Sequence, residues 1–161
     1  MPDQQHKQGW SYTAMTTINE FMTRDHRRCD ELMAEAEEAA SKQDWEAAEN
    51  LTAAFQAAME RHFNMEEQVL FPAFEQQTGI VQGPTQMMRS EHQQMRRLLF
   101  QLKDAMERQA EDDFLDTTET LLIMMQQHNM KEEGILYPMS DEQLSGVDQI
   151  IAGMENFPAT P

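Results

Sequence analysis

Two short segments of the sequence place a carboxylate four residues after a histidine. They cover residues 62–67 (HFNMEE) and 128–133 (HNMKEE), and the pairs are His62 with Glu66 and His128 with Glu132. On a helix, positions i and i+4 share one face, with Cβ atoms about 5–6 Å apart. Two such pairs that face each other would bring two imidazole nitrogens and two carboxylates together, and such a set of groups can bind metal ions.

The pattern includes two further histidines, because the chain repeats itself at an offset of 66 residues. His26 and His92 each lie 36 residues before the histidine of a pair. Hydrophobic positions repeat at the same offset without a gap: Leu32/Leu98, Met59/Met125, Val69/Ile135, Leu70/Leu136, Phe71/Tyr137 and Pro72/Pro138. We interpret this repeat as an internal duplication.

The residues around the histidines predict long amphipathic helices. Apolar residues recur at spacings of three and four over residues 16–41, from 45 to about 72, over 85–108, and from a turn at 109–113 to about 137. We expect Asp44 to cap the second helix. Because proline lacks an N–H, we expect Pro72 to end or kink the second helix and Pro138 to stop the fourth. Residues 78–84 (TGIVQGP) form the clearest loop, and a capping-box pattern at Ser140 predicts a short helix over 141–152.

Four helices with short connections predict an all-α fold, an up-down-up-down four-helix bundle with a short extra C-terminal helix. The predicted divisions are an arm (1–15), the bundle with its two repeats (16–138), and a C-terminal helix and tail (139–161). Residue 44, in the first turn, is the midpoint between His26 and His62, and residue 110, in the third turn, is the midpoint between His92 and His128. Equal helical paths therefore allow all four histidines to lie at one level, about 27 Å from these turns at 1.5 Å per residue.

An apolar bundle buries histidine and glutamate at a cost unless they are paired or bind a metal. A lone histidine on an apolar stripe is more often a core or surface residue, whereas four in phase with two carboxylates favour a metal site. The candidate ligands are His26, His62, Glu66, His92, His128 and Glu132. Four nitrogens and two bridging carboxylates suit two iron ions, while zinc prefers four tetrahedral ligands and calcium prefers more oxygen.

These residues, written His26, His62-x-x-x-Glu66, His92 and His128-x-x-x-Glu132, resemble the hemerythrin-like family of HHE cation-binding bundles over about residues 18–138. The resemblance implies a non-heme di-iron centre of two iron ions joined by an oxo or hydroxo bridge. The two glutamates would bridge the ions, and the histidines would be terminal on one iron or shared between them.

The sequence departs from oxygen-carrying hemerythrins in one respect. Those proteins bind their iron with five histidines, the extra one lying a turn from its neighbour on the third helix. The positions four residues either side of His92 are Met88 and Arg96. We therefore expect a more symmetric site, completed by water, hydroxide or an outside ligand.

Three functions stay open. The first is a binding protein that senses, stores or scavenges a small diatomic ligand, dioxygen or nitric oxide. The second is an iron-dependent oxidoreductase acting on peroxide or nitric oxide, or an iron–sulfur-cluster repair protein, although repair proteins carry an extra cysteine-bearing N-terminal segment and residues 1–15 contain no cysteine. The third is a bundle that metal only stabilises. No acid–base dyad or nucleophile stands outside the ligand set, so the sequence leaves open whether the protein is an enzyme, and we rank binding first.

Composition excludes several classes of partner. With 12 Lys and Arg against 29 Asp and Glu, the net charge is −17, which argues against nucleic acid and anionic membrane surfaces. One cysteine cannot form an internal disulfide, and the N-terminus lacks the apolar core of a signal peptide. The longest apolar run, residues 121–125, is far shorter than the ~20 residues that span a bilayer. We expect a soluble cytoplasmic protein.

Several residues near the proposed ligands allow a second interpretation. Hemerythrin's second carboxylate falls five residues after its histidine, which makes Glu133 the alternative to Glu132, although symmetry with Glu66 favours Glu132. Otherwise Glu67 and Glu133 are expected to face solvent. We expect Cys29, Tyr137 and the nearby methionines to be packing residues. The alternatives are that Cys29 touches the site and that Tyr137 has a radical or hydrogen-bonding role. A second hypothesis is that methionine-lined walls exclude water and admit small gases.

Overall fold

The computed structural model describes residues 15–159, so the predicted arm lies outside the described residues except for residue 15. Its α-helices are α1 (Ile18–Ser41), α2 (Trp45–Met65), α3 (Phe71–Thr78), α4 (Pro84–Glu107), α5 (Glu111–Lys131), α6 (Tyr137–Gln143) and α7 (Val147–Glu155). Two π-helical segments, Glu66–Leu70 and Glu132–Leu136, join α2 to α3 and α5 to α6. The predicted all-α bundle with a short C-terminal helix is confirmed. The division into arm, bundle and tail stays a prediction.

Neither proline ends its helix. The predicted stop at Pro138 is therefore wrong, and of the two outcomes predicted at Pro72, a helix end or a kink, the helix end is wrong. The N–H of Phe71 bonds to the carbonyl of Glu66, five residues back, and the N–H of Tyr137 bonds to Glu132 in the same way. This wider turn shifts the hydrogen-bond register just before each proline, so the chain passes Pro72 and Pro138 without a break. Both π segments begin at a proposed ligand carboxylate, and single π turns inside helices are frequent at functional sites.

The C-terminal part of the chain also differs from its prediction. Helix α6 continues through Ser140, whose hydroxyl donates to the carbonyl of Leu136, so Ser140 does not start a new helix. The carboxylate of Asp141 instead accepts from the backbone N–H groups of Ile18 and Asn19 at 2.7 and 3.0 Å. It caps the free donors at the start of α1. The short C-terminal helix begins at Val147 and not at residue 141.

The remaining helix ends follow their local sequence. Thr17 and Glu20 form a capping box at the start of α1. The predicted cap by Asp44 is confirmed, since its carboxylate accepts from the N–H of Ala47 at 3.2 Å. Gly79 ends α3 in the left-handed conformation at φ 74°, where glycine has no Cβ penalty. These turns reverse the chain and set the four helical segments of the bundle antiparallel. The four segments are α1, α2 with α3, α4, and α5 with α6.

The four helical segments bury two hydrophobic clusters, one on each side of the level at which the four histidines lie. Helix α1 packs against α2, α4 packs against α5, and the contacts of α1 with α5 and of α2 with α4 close the bundle. The first cluster, with Phe55 and Leu121, fills the half nearest the 42–44 and 108–110 turns. The second, with Phe74 and Met154, fills the other half, where α7 packs against the first π segment.

Across residues 15–159, no helix combines the length and the apolar character that crossing a lipid bilayer requires.

Candidate metal centre

The six predicted donors lie together between the two hydrophobic clusters. The imidazoles are 0–4% exposed and both carboxylates are fully buried: His26, His62, His92, His128, Glu66 and Glu132. The ring centroids are 4.6 Å apart for His26 and His62 and 4.9 Å apart for His92 and His128. The level inferred from the turn midpoints therefore exists, although the use of these six side chains as ligands stays a prediction.

Each carboxylate lies between imidazoles of different helices. Glu66 Oε2 is 3.0 Å from Nε2 of His92 and 3.5 Å from Nε2 of His62. Its closest imidazole therefore comes from the other repeat, although His62 is the one that precedes it at i−4.

Glu132 occupies the equivalent position in the second repeat. Its Oε1 is 2.9 Å from Nε2 of His128, and its Oε2 is 3.0 Å from Nε2 of His26. Donor atoms that lie within 4.8 Å of one another form two groups able to hold a metal ion, Glu66-His92-His128-Glu132 and His26-His62-Glu132. Glu132 belongs to both groups.

The outer nitrogen of every imidazole contacts a second carboxylate, which the sequence analysis did not predict. Nδ1 of His26 is 2.7 Å from Glu133, and Nδ1 of His92 is 2.8 Å from Glu67. Glu67 and Glu133 were expected to face solvent, but each is only partly exposed because it turns back to a histidine of the other repeat.

The other two imidazoles are held in the same way. Nδ1 of His62 is 2.8 Å from Asp25, and Nδ1 of His128 is 2.7 Å from Glu91. The sequence contains a signal for these contacts, because Asp25 and Glu91 are themselves related by the 66-residue offset, as are Glu67 and Glu133. Each acid lies next to one proposed ligand in sequence but binds the imidazole of another helix.

These outer carboxylates fix the chemistry of the inner nitrogens. A carboxylate only accepts hydrogen bonds, so each Nδ1 carries a proton and each neutral imidazole directs its Nε2 lone pair inward. Four buried inner atoms approach each other in pairs to 2.9–3.0 Å but have no partner in hydrogen-bond geometry within the described chain: Glu66 Oε2 with His92 Nε2, and Glu132 Oε1 with His128 Nε2. Acceptors that face acceptors in a dry site need protons or cations between them. The donor set therefore fits metal ions.

The electrostatics of the metal-free site agree with this picture. Burial opposes protonation of His26 and His128, but the carboxylate of Glu132 outweighs it and raises the pKa of His26 to about 8 and that of His128 to about 9. Burial likewise opposes ionisation of Glu132, yet the neighbouring imidazoles hold its pKa well below the ordinary value. Protons therefore fill the inner positions that cations would take.

Tyr137 contacts the centre directly, which differs from the packing residue that we expected. Its buried hydroxyl lies 2.6 Å from Glu66 Oε1, 2.8 Å from Glu132 Oε2 and 3.2 Å from His26 Nε2. Burial, followed by the two carboxylates, raises the pKa of this phenol well above its usual range, so it stays protonated and donates. Its repeat partner Phe71 stacks on His92 with 5.8 Å between ring centroids and offers no hydroxyl.

The residues four positions before and after His92, where a fifth histidine would lie, have other roles. Met88 is buried in the second hydrophobic cluster. Arg96 binds Glu67 at 2.9 Å and Glu60 at 2.9 Å, and its guanidinium lies over the ring of Phe63 at 5.1 Å. Arg96 thus holds Glu67, which in turn holds His92.

A small cavity adjoins the imidazoles on the side of the first hydrophobic cluster. Its volume is about 10 Å³, close to the smallest space that holds one water molecule, about 10–15 Å³. It is lined by His26, Cys29, Met59, His62, Phe63, Met95, Met125, His128 and Asn129. Its walls are therefore largely apolar and rich in sulfur.

Comparison with known proteins identifies a family. The family model described as the hemerythrin HHE cation-binding domain matches residues 17–140, which include all six predicted donors and the four outer carboxylates. A search of curated proteins finds no match to the chain.

Proposed function

Because the chain belongs to the hemerythrin HHE cation-binding family, we propose that its six inner donors hold two iron ions that bind a small ligand such as dioxygen or nitric oxide. The observation that carries this proposal is the pair of donor groups that share Glu132. A single ion would need only one of these groups. The mixture of imidazole and carboxylate donors suits iron, whereas a structural zinc site would close with four ligands.

In this proposal the ligands are His26, His62, Glu66, His92, His128 and Glu132. Glu132 is assigned in preference to Glu133 because its carboxylate is fully buried against inner nitrogens, while Glu133 contacts the outer nitrogen of His26. Iron bound there would supply an electron-rich centre for a diatomic ligand. Asp25, Glu67, Glu91 and Glu133 keep the imidazoles in the tautomer that presents Nε2.

The surroundings favour a small neutral ligand. The cavity beside the imidazoles has room for about one water-sized molecule, and methionine, cysteine and phenylalanine side chains form most of its wall. These groups offer little hydrogen bonding to water or to a hydrated anion. A neutral diatomic molecule suits the polarity of this space, whose volume of about 10 Å³ is at the lower limit for one water molecule.

A second candidate function is reduction of peroxide or nitric oxide, and Tyr137 is the observation that favours it. Its hydroxyl touches both inner carboxylates, so it can hold or deliver a proton at Glu66 Oε1 or Glu132 Oε2. Binding without turnover does not require such a donor. Repeated consumption of peroxide that is lost in Tyr137→Phe would favour the enzyme over the binding protein.

The proposal is tested by loading the full-length protein with ferrous iron and measuring iron content and nitric oxide binding by visible absorption. The test variant is His62→Ala with His128→Ala. The control variant is Gln68→Ala with Gln127→Ala, two exposed positions close to the replaced histidines. We expect about two irons per chain and a nitrosyl spectrum in the wild type and in the control, because the proposed ligands form two donor groups.

The histidine variant should retain neither iron nor nitrosyl. Equal iron content in both variants would refute the assigned site. Iron that raises thermal stability but binds no small ligand would instead favour a metal that only stabilises the bundle.

A further inference from the structure

Four sulfur-bearing side chains surround the cavity beside the proposed iron site. Each lies three residues from a proposed histidine ligand, on the same helix and about one turn away. They are Cys29 on α1, Met59 on α2, Met95 on α4 and Met125 on α5. We call these four residues the sulfur ring. The 66-residue offset relates Cys29 to Met95 and Met59 to Met125, and the four side chains are 0–4% exposed.

We propose that the methionines of the sulfur ring are a modification site, oxidised to methionine sulfoxide by hydrogen peroxide that reacts at the iron centre. The inference rests on the proposed iron site, because iron brings peroxide to these buried thioethers. In each reaction the O–O bond of H₂O₂ breaks and one oxygen forms an S–O bond with the thioether. The other oxygen leaves as water with both protons. The sulfur loses two electrons and the peroxide gains them.

Burial alone would protect these methionines from peroxide in solvent. Oxidation of methionine normally follows exposure, and Met87 and Met130 are 52% and 71% exposed. The sulfur ring differs from other buried methionines because its side chains share a cavity with His26, His62 and His128. Peroxide that reacts at the iron centre can therefore reach these thioethers through the shared cavity without crossing the hydrophobic cluster.

The thioethers are better targets than the thiol of Cys29. A thioether reacts without losing a proton, whereas a thiol reacts as its thiolate. Burial, reinforced by Asp25, raises the pKa of the Cys29 thiol to about 12, so the thiolate is scarce at neutral pH. We therefore assign the oxygen to Met59, Met95 and Met125.

Oxidation would change the centre itself. A sulfoxide adds one oxygen atom and a strong dipole to a cavity that holds about one water molecule. That oxygen occupies the space of the small ligand and makes an apolar wall polar. Accumulated sulfoxide should therefore lower ligand binding, and enzymatic reduction of the sulfoxide would restore it.

The first test compares iron-loaded and iron-free full-length protein after treatment with hydrogen peroxide. Peptide mass spectrometry locates the added oxygen on each methionine. In the iron-loaded protein we expect Met59, Met95 and Met125 to be oxidised about tenfold faster than in the iron-free protein, where solvent exposure governs the order. Met33 and Met106 are internal controls, since they are buried in the same hydrophobic cluster but do not line the cavity. Oxidation that begins at Met87 and Met130 in both samples would overturn the proposal.

The second test asks whether sulfoxide blocks the ligand. The variant Met59→Leu, Met95→Leu, Met125→Leu preserves volume and hydrophobicity, and Met33→Leu with Met106→Leu is the matched control. After peroxide is removed and the iron is reduced again to the ferrous state, the triple variant should keep the nitric oxide binding that it showed before treatment, while the control and the wild type lose it together. Equal loss in all three proteins would overturn the proposal.

Iron content and nitric oxide binding are measured before peroxide is added, which separates two kinds of failure. If iron and nitric oxide bind normally but the sulfur ring is not oxidised, this inference alone fails. If the wild type binds no iron at the six donors, the proposed function fails and this inference fails with it.

Discussion

Replacing Glu133 with glutamine should weaken iron binding although Glu133 is not a proposed ligand. Its carboxylate accepts from Nδ1 of His26 at 2.7 Å. A glutamine there can instead donate its NH₂ to Nδ1, which moves the imidazole proton to Nε2 and points it at the metal position. The lost bond involves a charged acceptor, and such bonds contribute about 1.5–3 kcal/mol. The Glu133 side chain is 37% exposed, so solvent screening favours the lower part of that range.

The corresponding loss of iron affinity is about 10- to 100-fold, as is typical for the outer partners of metal-bound histidines. Competition with a chelator of known affinity measures it in full-length protein. Glu142→Gln is the matched control, because Glu142 is exposed on α6 and its replacement changes the net charge equally. Equal iron affinity in the two variants would refute the assignment of Glu133 as the residue that orients His26.

Three further predictions follow from individual contacts. Tyr137→Phe removes one hydrogen-bond donor from each of two buried carboxylates and should destabilise the metal-free protein by about 1–3 kcal/mol in urea unfolding. Phe157→Leu, at a partly buried position outside the site, should change the stability little. Asp141→Ala removes the acceptor of two backbone N–H groups and should cost about 0.5–2 kcal/mol in the same assay; no change would show that α1 is capped without it. The thermal midpoint of the metal-free protein should fall as the pH rises from 7 to 10. The pKa values of His26 and His128 lie at about 8 and about 9, above their ordinary 6.5, so the stabilisation by their protonation is complete below pH 6.5 and is lost as the pH rises through the raised values. A midpoint that stays constant over that range would contradict it.

The inner donors could be predicted from the sequence because two simple regularities determine them. The i,i+4 spacing puts His62 with Glu66 and His128 with Glu132 on one face of each helix. The 66-residue offset then places the two repeats in register across the bundle. Neither regularity depends on the details of side-chain packing, so the sequence alone is enough to predict that the six donors lie together.

Tyr137 was expected to be a packing residue because its repeat partner is Phe71, and on an uninterrupted α-helix it would lie away from the site. At 3.6 residues per turn, a residue five positions after Glu132 points about 140° away from it. The π segment Glu132–Leu136 contains a wider turn, which brings Tyr137 back to the same face. Pro138 signals this irregularity, but it equally fits the helix end that was predicted.

The outer carboxylates were missed for a different reason. Asp25 and Glu91 each adjoin a histidine in sequence but bind the imidazole of another helix. Such contacts depend on which helices are neighbours and on their rotation, and helical periodicity alone does not determine either. Acidic residues do occur at both positions of the 66-residue offset, but acids are also common at exposed positions of this chain.

The duplication produced a symmetric set of inner donors within unsymmetric surroundings. Arg96 holds Glu67, but the residue at the equivalent position beside Glu133 is Asp30. Lys131 pairs with Glu91, whereas the residue equivalent to Lys131 is Met65.

Among residues 15–159, Glu133 has no Lys or Arg within salt-bridge distance, and His26 is its only ion-pair partner. Its negative charge therefore acts on His26 without neutralisation by a cation, and the hydroxyl of Tyr137 lies on that same side, 3.2 Å from His26 Nε2. A carboxylate that is not paired with a cation makes the imidazole that it holds more basic.

We therefore expect the two proposed irons to be inequivalent, with two quadrupole doublets in the Mössbauer spectrum of the iron-loaded protein. Glu133→Gln should shift the doublet of the His26 iron, whereas Glu67→Gln should shift the other. A single doublet, unchanged by either substitution, would mean that the outer shell does not distinguish the two ion positions.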